Sequence, residues 1–231
     1  MSPVDEVTPT DPRARAARTK RDRTRRALLD AADATFGSRG WARTRIEDIA
    51  AAAGVSAATA YNHFPSKHSL VGHVYAPLVH SLLVQAERDV AAGRSAVVAL
   101  EDQLRALTRT AARHRELTAS FFCAVQDYTI RVEGPADQSD EIDPRTLVPM
   151  PEPLRLLVAY GQRRGELREY PSAAEISTMI INLLLIRTLT VPDESADARA
   201  ELLLTLLFGA LRPELLLDRP AAEGHPFSRH P

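Results

Sequence analysis

Apolar residues recur three and four apart along most of this 231-residue chain, and nowhere do four or more β-branched or aromatic residues alternate with polar ones. Helical periodicity without strand periodicity leaves an all-α fold, in which helices bury their apolar stripes on one another. With 45% hydrophobic and 26% charged residues the chain can bury a sizeable core, and wholesale disorder is excluded. The single cysteine, Cys123, can form neither an internal disulfide nor a zinc cluster. No apolar run reaches the roughly 18 residues of a membrane span; the nearest, Met179 to Ile186, is broken by Asn182 and followed by Arg187. The arginine-rich N-terminus has no apolar stretch of the kind that marks a secretory signal. These features point to a cytoplasmic protein with no membrane partner.

The net charge of −1 hides an asymmetry. Residues 1–70 carry twelve Lys and Arg against eight Asp and Glu, whereas the remainder is acidic. Arg13, Arg15, Arg18, Lys20, Arg21, Arg23, Arg25 and Arg26 crowd into one segment, and such a basic end on an acidic chain points to a polyanion partner.

Pro3, Pro9 and Pro12 predict a disordered basic arm over residues 1–21. A first helix is expected from Asp22 to Ser38, ended by Gly40, with Trp41 wedged between it and the next. Short helices follow over Ile46–Ala53 and from Ser56, as cap, to His63, joined by a turn at Gly54. A long helix starts at Ser66-Lys67 and runs to about Ala92, with Pro77 expected to kink or split it. Helices are expected next over Arg94–Arg113 and Glu116–Val132. The proline- and acid-rich stretch Glu133 to Pro153 reads as a mobile loop. Three more helices, Glu152–Arg164, Ala173–Leu189 and Ala196–Leu211, precede a flexible tail over residues 213–231.

Two short helices joined by a glycine turn after a longer one describe a helix-turn-helix, whose second helix lies in the DNA major groove. The first turn of Ser56–His63 is small enough for close backbone approach. Ala57 and Ala58 can pack on thymine methyl groups and Thr59 can reach a base or a phosphate. Tyr61, His63 and Lys67 offer polar tips where phosphates would pass.

Gly40-Trp41, Thr44, Ile46, Ile49-Ala50, Ala53-Gly54-Val55-Ser56, Thr59, Tyr61, His63-Phe64, Lys67 and Leu70 resemble the signature of the TetR family of bacterial transcriptional regulators. The resemblance covers about residues 22–70. It implies an all-α homodimer that binds palindromic double-stranded DNA through residues 22–66 and a small molecule through a helical body over residues 67–212. It also implies that Thr59, Tyr61, His63 and Lys67 contact DNA, chiefly its backbone, while Ala57 and Ala58 face bases. Arg45 stands where the family usually caps the second helix with Ser or Thr; Thr44 is expected to take over the cap and Arg45 to reach a phosphate.

Beyond residue 70 no shared motif extends, and the body is read from its residues. Ala173–Leu189 and Ala196–Leu211 are apolar on more than one face, so part of their surface is expected to meet a second subunit. His114, Phe121, Phe122, Gln126 and Tyr160 are candidates for lining a ligand cavity that takes a small apolar or aromatic molecule. No catalytic or phosphate-cradling motif is present, and neither a cofactor nor a metal is expected. The expected function is that of a ligand-responsive repressor rather than an enzyme. A ligand-independent architectural DNA-binding protein, or a helical enzyme with an accessory helix-turn-helix, are the competing classes.

Overall fold

A computed structural model describes residues 12–134, 136–137, 139–140 and 142–212. Ten helices and no strand make up these residues: α1 (Pro12–Arg39), α2 (Ile46–Ala52), α3 (Ala57–His63), α4 (Lys67–Ala91), α5 (Ala96–Arg113), α6 (Arg115–Val132), α7 (Pro144–Leu147), α8 (Glu152–Arg163), α9 (Ala173–Thr190) and α10 (Ala196–Leu211). The all-α expectation holds. Residues 1–11 and the tail from 213 on lie outside the described residues.

Two expectations need correction. The arm assigned to residues 1–21 is helical from Pro12, where the first helical position tolerates the missing N–H and the following Arg and Ala residues are strong helix formers. The stretch read as a mobile loop is tied down instead. Asp143, buried, caps α7 by accepting from the Arg145 amide at 2.7 Å and pairs with the Arg145 guanidinium at 2.7 Å. Arg145 also donates to the Gly134 carbonyl at 2.8 Å, and Val148 and Met150 join the core. Opposite charges neutralise one another locally, so an acidic composition did not prevent packing.

α1 packs on α2, α4 and α6, and α4 in turn packs on α5, α6, α7 and α8. Leu28, Phe36, Ile49, Phe64 and Leu70 of the head belong to the same buried cluster as Leu100, Leu157, Leu184 and Leu207 of the body. Head and body therefore share one core. α4 remains helical through Pro77, without the split that a proline could impose. Tight packing at Gly161 on α8 leaves no room for a side chain: a Cβ there would lie 2.7 Å from Ala96 Cβ and from Leu167 Cδ1.

α9 is the one helix among the described residues that is long and apolar enough to cross a membrane by length and composition. Its Ile176, Ile180, Ile181, Leu184 and Leu185 are buried, and it packs between α6, α8 and α10 as a core helix does. Met179, 65% exposed, and Ile186, 41% exposed, form an outer apolar face, and on α10 Leu206 is exposed as well. Leu203 and Leu207, by contrast, face the chain's own core.

Candidate functional site

The reading unit is built from local signals. Ser56 Oγ accepts from the Thr59 amide at 3.2 Å and starts α3, and Ser66 Oγ accepts from the Ser69 amide at 3.0 Å and starts α4. Gly54, at φ +70°, takes the left-handed conformation that the turn between α2 and α3 requires. Ala60 is the buried anchor of α3, so the helix presents the opposite side, with Ala58, Tyr61 and Asn62, to solvent. Ala57 and Thr59 are half-buried beside them, with the Thr59 hydroxyl 2.9 Å from Ser56 Oγ.

Several of the expected phosphate ligands are engaged within the head. The Tyr61 hydroxyl donates to Glu47 Oε1 at 3.0 Å, which joins α3 to α2. That bond raises the Tyr61 pKa, and Glu47 is lowered by its own backbone N–H and then by Tyr61. Lys67 Nζ donates to the carbonyls of Trp41 at 3.0 Å and Thr44 at 3.1 Å, and sits 3.8 Å from the Trp41 ring centroid. Trp41 stacks on Phe36 of α1 and meets His68 of α4 edge-on, so it wedges α1 against α4 rather than against α2. Burial pushes the His63 pKa down, and Arg21 and Arg25 push the same way, so His63 stands neutral near pH 7.

The cap of α2 also differs from expectation. Thr44 Oγ1 donates to the Gly40 carbonyl at 2.7 Å and no side chain caps α2, so Arg45 occupies the N-cap position with an exposed side chain. Glu47 and Asp48 in the first turn complement the helix N-terminus instead.

A cavity of about 230 Å³ opens in the body between α6, α9 and the segment after α7. It is lined by Phe121 and Val125 of α6, by Arg145, Val148, Met150 and Pro151, and by Thr178, Ile181, Asn182 and Leu185 of α9. Of the five candidate ligand residues only Phe121 lines it, stacked on Tyr75 with centroids 4.7 Å apart. His114 lines a separate cleft among Arg26, Asp30, His73 and Leu117 at the junction of α1, α4 and α6. Phe122 and Tyr160 are buried away from both; the Tyr160 hydroxyl has no hydrogen-bond partner among the described residues. Gln126 is exposed, because the phase of α6 turns it outward one residue after Val125. Cys123 is half-buried and its thiol is pushed up by burial, which makes it a poor nucleophile.

Contacts connect this cavity to the head. Arg145 lies over the Tyr128 ring at 5.5 Å, and the Tyr128 hydroxyl donates to Asp140 at 2.5 Å, which pushes its pKa up to about 12. Tyr128 meets His68 edge-on at 5.5 Å, and His68 Nε2 is 2.7 Å from Asp127 Oδ2. The His68 hydrogen bond holds the Asp127 carboxyl below the usual carboxylate range. Sequence reading missed the pairing of His68 with Asp127 because their types and spacing match no motif.

Residues 28–74 match the family described as bacterial regulatory proteins, tetR family. The HTH-type transcriptional repressor KstR2 of Rhodococcus jostii (strain RHA1) is 36% identical over 77 residues, a match covering 33% of this chain and 38% of that protein. The chain thus matches well under half of that relative's length. FadR of Thermus thermophilus, a TetR-family transcriptional repressor solved with lauroyl-CoA, superposes with a TM-score of 0.66 at 23% identity, over 87% of this chain and 99% of its own. The fatty acid degradation regulator FadR of Bacillus halodurans superposes with a TM-score of 0.59 at 14% identity, over 79% of this chain and 93% of its own. The head's sequence is thus similar to the tetR family of bacterial regulatory proteins over residues 28–74, and the fold of the whole chain is similar to that of solved TetR-family regulators.

Proposed function

We propose that the protein is a cytoplasmic transcriptional repressor that binds an inverted-repeat operator as a homodimer and releases it when a small, largely apolar molecule enters the α6–α9 cavity. The observation that carries the reading is α3 itself: a Ser56-capped helix whose small first turn exposes Ala58, with Ala57 and Thr59 half-buried beside it, while Ala60 anchors the helix from behind. Ala57, Ala58 and Thr59 are the base-facing residues on this reading, and Arg45 reaches a phosphate. Tyr61 and Lys67 act by holding α3 and the turn before α2 in place, and His63 contributes no charge.

The exposed Met179, Ile186 and Leu206 support α9 and α10 as the dimer interface, since a contiguous apolar face is covered in a stable assembly. The lining of the cavity supports an apolar ligand, because its one guanidinium is already neutralised by Asp143. The complex of the Thermus protein with lauroyl-CoA supports a small-molecule effector for this chain. A volume of about 230 Å³ is below the roughly 300–1,000 Å³ of drug-sized sites, so the ligand is small or opens the cavity as it enters.

Selection of duplexes from a random library, followed by a compound screen against the selected duplex, tests the reading. An inverted repeat bound by two chains and released by an apolar compound is the expected result. Binding that no compound or cell extract weakens would leave the ligand-independent architectural reading in its place.

A further inference from the structure

The helical extension of α1 adds a basic surface that the helix-turn-helix alone does not provide. Arg18, Arg21 and Arg25 stand at spacings of three and four, so they share one face of α1. Arg25 fixes where that face points. Its guanidinium lies 4.4 Å over the Phe64 ring and donates to the His63 carbonyl at 3.4 Å, at the C-terminal end of α3. Arg21 is close enough to join Arg25 in lowering the His63 pKa. From Arg25 to Arg18 the stripe runs seven residues, about 10 Å, or about three base-pair rises of 3.4 Å. Residues 13–23 are exposed on every side, and no carboxylate pairs with Arg18 or Arg21 among the described residues. Asp22 is the only acid between Pro12 and Leu29.

We infer that Arg18 and Arg21 form a second DNA-contacting surface, continuous with the end of α3, that neutralises phosphates flanking the bases α3 reads. A membrane surface fits less well, since the uncharged residues of these turns are Ala14, Ala16, Ala17 and Thr19 and offer no large apolar face. Phosphates are the same in every sequence, so a stripe that contacts them strengthens binding to every sequence alike. The inference rests on the proposed DNA-binding function.

The test follows binding of the full chain to a random-sequence duplex of about 40 base pairs over a salt series, because phosphate contacts govern non-specific binding. Arg18→Gln combined with Arg21→Gln removes four charges from a dimer and should flatten the log–log slope by about 3 to 4 units. The preference for a selected duplex should stay as it was. Arg18→Lys with Arg21→Lys should keep the wild-type slope. Both positions are exposed and Gln is a good helix former, and circular dichroism checks that α1 stays helical. An unchanged slope in the Gln pair overturns the inference while leaving the regulator reading standing. So does a Lys pair as impaired as the Gln pair, or arginine-dependent binding to anionic phosphatidylserine vesicles without any change in DNA slope. A wild type that binds no duplex at any salt refutes the function and the stripe together.

Discussion

Lys67 separates two accounts of the head, and one substitution decides between them. Lys67→Met keeps an unbranched stem and removes the ammonium that bonds the Trp41 and Thr44 carbonyls and covers the Trp41 ring at 3.8 Å. At a half-buried site each charge-assisted bond is worth about 1 kcal/mol, and the cation–π contact about 1 kcal/mol more. The loss is then about 3 kcal/mol. For a chain of this size that lowers Tm by about 6–12 °C. Thermal unfolding by circular dichroism reads it directly, and a salt series of duplex binding on the same preparation reads the second half.

If Lys67 is a clamp, the variant binds DNA more weakly at every salt concentration but with the wild-type slope, since no phosphate contact has gone. If Lys67 is a phosphate ligand, Tm holds and the slope flattens by about 2 units, close to one for each subunit of a dimer. An unchanged Tm with a flattened slope refutes the clamp.

Gly161→Ala should destabilise the body by about 1–3 kcal/mol, measured by urea unfolding, because the new Cβ would lie 2.7 Å from atoms of Ala96 and Leu167. Met179→Glu with Leu206→Glu should yield a monomer by light scattering that loses high-affinity operator binding; a persisting dimer would move the interface off α9 and α10. Thr178→Trp, at the exposed edge of the cavity, should block release by an apolar effector and leave operator binding nearly intact. Retained release would place the effector elsewhere, the cleft at His114 being the other opening. Asp127 has a lowered pKa in the fold, so its stabilising contribution is full above its unfolded value near 4 and disappears as pH falls below it. Asp127→Asn should therefore lower stability between pH 5 and 8, where the wild type has the full contribution, and converge with the wild type below about pH 4; a loss that persists undiminished in acid would contradict the assignment.

Much of the head was legible because its signals are local. Ser56, Ser66 and Gly54 act on backbone within three residues of themselves, and a helix start or a left-handed turn follows from residue type. The partners of long side chains were not legible. A lysine beside a helix-turn-helix can reach a phosphate or a carbonyl, and only the placement of Trp41 and Thr44 under Lys67 decides which. The cavity escaped for a different reason. Val125, Ile181 and Leu185 are indistinguishable from core aliphatics in a sequence, so attention fell on aromatic and polar residues such as Gln126 and Tyr160 that the helix phases carry elsewhere. Composition misled in two places. Arginines from Pro12 on read as a solvated arm although they are also helix formers, and acids after Glu133 read as mobile although Asp143 pairs with Arg145 two residues on and Asp140 accepts from Tyr128 of α6.

On the proposed function, the shared core makes switching a question of which contacts between α4 and α6 survive ligand entry. Two residues, Phe64 and Pro65, separate α3 from Ser66, Lys67 and His68, so the start of α4 sets where the reading helix sits. A molecule that displaces Val125 or Arg145 moves Asp127 and Tyr128, which lie within three residues of Val125 on α6 and touch His68. Useful coupling between two sites is about 1–3 kcal/mol. A charge-assisted hydrogen bond to a carboxylate this exposed is worth about 1 kcal/mol, so the His68–Asp127 contact alone reaches the lower end of that range. Tightness of ligand binding does not enter that balance: a molecule that fits the cavity equally with the contact made or broken shifts nothing. What distinguishes an inducer from a mere occupant is contact with the Arg145–Tyr128 side of the cavity, where the wall is continuous with His68, rather than with Ile181 and Leu185 on the opposite side.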